Sequence, residues 1–124
     1  MPTRGVEMMA IDNDKPAIIL ALPATVNGRL PVQLRPMLYG IEEEQIPLQT
    51  TVFDEDTAIK RAYKAAVASR LSVGISFDKH QIVVQYKNLK PDEPLFAVPI
   101  DASANIRKIG ANAARLVKGV PFKK

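Results

Sequence analysis

Three consecutive carboxylates, Glu42, Glu43 and Glu44, stand in the stretch YGIEEEQIP, where a helix is predicted to end. Carboxylates suit a hard cation, or charge-assisted hydrogen bonds from Arg and Lys. Negative charge at a helix C-terminus is unfavourable, so helix stability does not explain their position. Successive helical residues splay by about 100°, so at most one or two of the three can reach a shared partner. A metal held there needs ligands from another chain. The plain alternative is a solvated helix end. His80, the lone histidine, is of a residue type that can serve as a general base, yet a single histidine in a hairpin turn is far more often a turn or interface residue. Arg107, Lys108, Arg115 and Lys118 form a basic set that fits an acidic protein surface or a phosphate backbone, or an ordinary solvated face.

The chemistry left out is as informative. With no cysteine, thiolate nucleophiles, disulfides and Cys-based metal sites are excluded. No glycine-rich phosphate loop, nucleophile elbow or HExxH motif occurs. Three Tyr, four Phe and no Trp offer no aromatic platform for nucleic acid. The net charge of +4 is unevenly placed: from Ala102 onward there are six basic residues and no acidic one, leaving 11 basic against 13 acidic before it. No apolar run approaches the roughly 20 residues of a spanning helix, and the N-terminus lacks a signal-peptide pattern, so a cytoplasmic protein is expected.

These side chains need elements to carry them. With 124 residues, 47% of them hydrophobic, the chain fits one domain, expected over 16–124 behind a flexible N-terminal arm of residues 1–15. AIILAL (Ala17–Leu22) reads as a central strand buried on both faces. Leu34, Leu38 and Ile41 predict a helix from Arg35 to about Glu44, with Pro36 tolerated in its first turn. Pro47–Phe53 reads as a second strand. DEDTAIKRAYKAAVASR predicts a helix capped by Asp54 or Asp56, with Ile59, Ala62, Tyr63, Ala66 and Val67 on its buried face. Ser72–Phe77 and Gln81–Tyr86 are joined by only three residues, too few for a parallel crossover, and must form a hairpin. LFAVPI returns antiparallel. A last helix, opened by Ser103 or Asn105, puts Ile106, Ile109, Ala113, Leu116 and Val117 within one arc and ends at Gly119. The order βαβα, a meander and a closing helix predicts an α/β fold with a mixed sheet.

Taken together, GIEEEQIP, SVGISFDKHQIVVQYKNL, PLF and NAARLVKGVPF, in this order and spacing, resemble the small subunit of the glycerol and diol dehydratase reactivating factors. The resemblance covers most of Gly40 to Phe122. It implies a three-layer α/β/α fold of anticodon-binding-domain type, with a five-stranded sheet of order 2-1-3-4-5 and strand 4 antiparallel. It also implies a non-catalytic subunit of an adenosylcobalamin-dependent dehydratase reactivase. In that family ATP or ADP belongs to a large actin-like ATPase subunit, in a complex of two large and two small subunits that acts on dehydratase. The small subunit exchanges with the dehydratase medium subunit, and damaged cobalamin leaves.

On this reading Glu42, Glu43 and Glu44 dock the large subunit, Glu43 is the candidate magnesium ligand, and Arg107, Lys108, Arg115 and Lys118 are further partner contacts. The chain itself carries no cofactor, and neither nucleic acid nor membrane is a partner. Free cytosol and a bacterial microcompartment both fit. The competing readings are a dehydratase medium subunit, which resembles this fold but carries extra chain, and an RNA-binding module.

Overall fold

The structure, a computed structural model, describes residues 15–26 and 28–124; the arm expected over 1–15 lies, apart from Lys15, outside the described residues. IILAL forms β1 (Ile18–Leu22), and all five of its residues are buried. It lies at the heart of a five-stranded sheet ordered β2-β1-β3-β4-β5, with β2 (Leu48–Val52), β3 (Val73–Phe77), β4 (Gln81–Tyr86) and β5 (Phe96–Pro99). β1 runs parallel to β2 and β3, and β4 is antiparallel to both β3 and β5. This is the mixed order expected, and the three-residue turn before β4 dictates the reversal.

Three helices make the outer layers: α1 (Arg35–Glu43), α2 (Ala58–Ala68) and α3 (Ser103–Lys118). Because side chains alternate along a strand, β1 serves both faces. Ile18, Leu20 and Leu22 join Met37 and Ile41 of α1 and Ile106 and Ala113 of α3 in the main core. Ile19 and Ala21 face the other way, against Ala65 of α2. Pro36 falls in the first turn of α1, where its missing N–H costs nothing, so the helix is unbroken.

Two features of α2 differ from expectation. Its cap is Thr57, whose hydroxyl accepts from the Lys60 N–H at 3.2 Å, and not Asp54 or Asp56. Asp56 instead pairs with Lys60 at 3.3 Å. The buried face is also rotated: Ala58, Arg61, Ala62, Ala65 and Ala66 point inward, while Val67 is 51% exposed. Gly74 is the reason, since a Cβ there would lie 2.3 Å from the Ala62 carbonyl oxygen and the Ala66 nitrogen. Backbone meets backbone, and only alanines fit beside that contact.

Among the described residues Arg61 is the one buried arginine, at 4% exposure. Its Nε donates to Ser76 Oγ at 3.0 Å, Nη1 to the Glu55 carbonyl at 2.8 Å and Nη2 to the Phe77 carbonyl at 2.7 Å. Neutral acceptors thus hold the guanidinium, and burial lowers its pKa while Asp78 and Asp56 oppose the shift. α3 opens at Ser103, one of the two starts expected; the residue before it, Ala102, offers no side-chain bond as a cap, and the Asn105 amide donates to Asp101 at 3.1 Å. At its far end Gly119 takes the left-handed conformation, φ 70°, that closes the helix as expected.

Candidate interaction site

α1 and α3 lie side by side on one face of the sheet, and two glycines decide how near. A Cβ at Gly40 would sit 2.0 Å from the Arg107 carbonyl oxygen, and one at Gly110 would sit 2.0 Å from that of Met37. With backbones in contact, side chains from the end of α1 reach across α3. Arg107 forks onto Glu43, with Nε to Oε1 at 3.1 Å and Nη2 to Oε2. Arg115 Nε donates to Glu44 Oε2 at 3.0 Å, and Lys118 Nζ to Glu44 Oε1 at 2.6 Å. The acidic helix end and much of the basic face therefore neutralise each other. Local sequence patterns offered no signal for this, because the partners are 64 to 74 residues apart.

The carboxylates splay as helical geometry requires, into three environments. Glu44 is the most enclosed, its side chain 10% exposed, and hydrogen bonds from Lys118 and then Arg115 hold its pKa below the usual carboxylate range. The side chain of Glu43 is 45% exposed, and its pKa is lowered mainly by the Arg107 hydrogen bond, which raises that of Arg107 in turn. Glu42 is exposed and has no ion pair among the described residues. Lys108, half-buried, likewise has none among them.

The NAARLVKGVPF segment ties the C-terminal tail to the same place. Asn112 is buried, and its side chain brackets the Lys123 backbone, accepting from its N–H at 2.6 Å and donating to its carbonyl at 3.2 Å. Arg115 Nη1 adds a bond to the Pro121 carbonyl at 3.0 Å, and Phe122 meets Phe96 edge-on at 5.2 Å. One guanidinium thus joins the end of α1, α3 and the tail. Neither Asn112 nor Arg61 stood out as a candidate beforehand, since an amide or guanidinium gains its meaning only from distant acceptors.

His80 is exposed in the β3–β4 turn, away from these residues. Its backbone N–H and that of Gln81 donate to Asp78 Oδ1, at 2.7 and 2.9 Å, which makes Asp78 the turn's cap. Among the described residues no group of three His, Asp or Glu side chains could hold a metal ion, and no helix is long and apolar enough to cross a membrane.

The family model described as dehydratase medium subunit matches residues 15–123. The diol dehydratase-reactivating factor small subunit of Klebsiella michiganensis is 41% identical over 114 residues, covering 90% of this chain and 87% of that protein. The chain belongs to the family of dehydratase-reactivating factor small subunits. The propanediol dehydratase-reactivating factor small subunit of Salmonella typhimurium is 46% identical over 89 residues, 70% of this chain and 76% of that one. Among solved structures, a diol dehydratase-reactivating factor complexed with ADP and Mg2+ superposes with a TM-score of 0.80 at 40% identity, covering 89% of this chain and 99% of its own. A glycerol dehydratase reactivase chain gives 0.78 at 30%, covering 89% and 98%. For a reactivating-factor small subunit, the α1–α3 rim described above is surface that the isolated chain has already organised.

Proposed function

We propose that this chain, a single domain over 16–124, is the non-catalytic small subunit of a chaperone-like, ATP-dependent reactivase. It pairs with a large actin-like ATPase subunit, two copies of each, and helps release damaged cobalamin from inactivated glycerol or diol dehydratase by exchanging with the dehydratase medium subunit. One observation carries the reading: a family model described as dehydratase medium subunit matches residues 15–123, while the relatives at 41% and 46% identity are reactivating-factor small subunits. A subunit built like a component of its client can compete for that component's place. ATP, ADP and their hydrolysis belong to the large subunit. The place of action is the cytoplasm, free or beside a bacterial microcompartment.

The acidic end of α1 is the proposed contact with the large subunit. Glu42 and Glu43 are accessible, and the hard oxygens of Glu43 suit magnesium, with the remaining ligands supplied by the partner. Glu43 then exchanges the Arg107 guanidinium for the ion. Glu44 supports the rim from within, and Arg107, Lys108, Arg115 and Lys118 border the same contact. Mixing inactivated dehydratase with the two-subunit reactivase and nucleotide tests the exchange by native mass spectrometry. The expected species carries the small subunit on dehydratase with the medium subunit displaced. Full reactivation by a factor whose two subunits are covalently tethered would overturn it.

The family model's own description keeps a second reading in view, a medium subunit of dehydratase itself. Stoichiometric spectral change of added cobalamin by the purified chain would favour that reading.

A further inference from the structure

While Glu43 and Glu44 satisfy cations within the chain, two arginines nearby do not share in this. Arg29 and Arg35 are exposed and have no ion pair among the described residues. They flank a groove of about 590 Å³ lined with Leu30, Val32, Leu38 and Tyr39. Val32 is 71% exposed and Tyr39 49%, the former being the most exposed large apolar side chain described. On α1, Arg35, Tyr39 and Glu42 follow one another at i, i+4 and i+7, so they share the helix face turned away from the core residues Met37 and Ile41. The result is an apolar strip with two uncommitted guanidinium groups at its start and an uncommitted carboxylate at its end.

We propose that this groove receives a segment of the large subunit in which an apolar side chain is flanked by carboxylates. The inference rests on the reading of this chain as a reactivase subunit, and it extends the proposed contact at Glu42 and Glu43 along the outer face of α1. Charge complementarity selects an acidic segment, because planar guanidinium groups bind carboxylates bidentately. The aliphatic wall of Leu30, Val32 and Leu38 selects an apolar anchor between the acids. A nucleic acid is disfavoured on the same strip, because Tyr39 is the groove's single aromatic ring and gives bases no platform on which to stack.

The test is the affinity of the full chain for its purified large subunit, using wild type, Arg29→Glu/Arg35→Glu, Val32→Ser and the conservative Arg29→Lys/Arg35→Lys. Circular dichroism and thermal melts check that each variant is folded. Charge reversal is expected to weaken binding by about tenfold or more, the lysine variant by less, and Val32→Ser by several-fold at unchanged melting temperature. Wild-type binding should weaken as salt rises from roughly 50 to 500 mM, and the reversed variant's binding should not. Wild type that fails to bind the large subunit overturns both readings. Wild type that binds, with the reversed variant within about twofold of it, overturns this inference alone. Single-stranded RNA or dehydratase bound by wild type and released by charge reversal, with large-subunit affinity unchanged, also overturns it.

Discussion

Glu43 and Glu44 are neighbours in sequence, yet their substitutions should read out differently. Glu44 holds two cations in an enclosed site, so Glu44→Gln leaves Arg115 and Lys118 facing one another without a counter-charge. A clear drop in melting temperature is expected, with loosening of the tail that Arg115 also holds. Glu43→Gln should cost the free chain little, because its pair with Arg107 is half in water, and should instead weaken large-subunit binding. Equal melting losses for the two would contradict this division. Both carboxyls have folded pKa values depressed below 4.5, so their stabilisation is fully present above that value and is lost as pH falls through the lower folded values. Thermal melts from neutral pH downward should therefore show acid loss beginning below about pH 4.5, and a smaller loss in Glu44→Gln. A helix-dipole penalty was legible in three consecutive Glu residues. Its neutralisation by α3 was not, since that depends on which helix lies alongside.

At the scale of elements, the two helix contacts made through glycine are the points of least tolerance. In an exposed helix Gly→Ala gains about 1 kcal/mol of propensity. Gly40→Ala and Gly110→Ala should do the reverse, because the new methyl would lie 2.0 Å from a carbonyl oxygen of the facing helix. The helices must then separate, at an expected cost of about 1–3 kcal/mol as in other overpacked cores, and the bonds of Arg107 to Glu43 lengthen with them. Chemical denaturation measures the loss. On the other face, Arg61→Ala leaves Ser76 Oγ and the Glu55 and Phe77 carbonyls without their donor, and about 2–4 kcal/mol of stability should go with it. A lysine at this position supplies charge without the fork and should restore only part.

At the scale of the whole molecule, the sheet with α1 and α3 on one side offers a continuous outer surface: the Arg29–Tyr39 groove, the Glu42–Glu44 end and the bordering basic residues. The proposed exchange between reactivase and dehydratase requires that one such surface serve two hosts in turn. On that proposal, nucleotide on the large subunit would need only modest energy to tip the competition, since each 1.4 kcal/mol is a factor of about ten in relative affinity. The exchanged species should grow less stable with salt where charged residues carry the contact, and titrating salt in native mass spectrometry follows this directly. The purified chain should show no ATP turnover, which a phosphate-release assay checks.

Local order in the sequence determined the elements. Continuous apolar runs, a three-residue turn and helical spacing define five strands and three helices, because periodicity and loop length act over a few residues. Family membership was also legible, in GIEEEQIP, YKNL and NAARLVKG read together. Tertiary structure decided what those motifs hold. Alanine spacing could not reveal that α2 turns Arg61 inward, since the cause is Gly74 on a strand beneath it. Nor could charge runs show that Glu43 and Glu44 are occupied by Arg107, Arg115 and Lys118 while Arg29 and Arg35 have no ion pair among the described residues. An ion pair forms between groups a few ångströms apart in space, and for residues more than sixty positions apart that distance is set by the packing of whole elements.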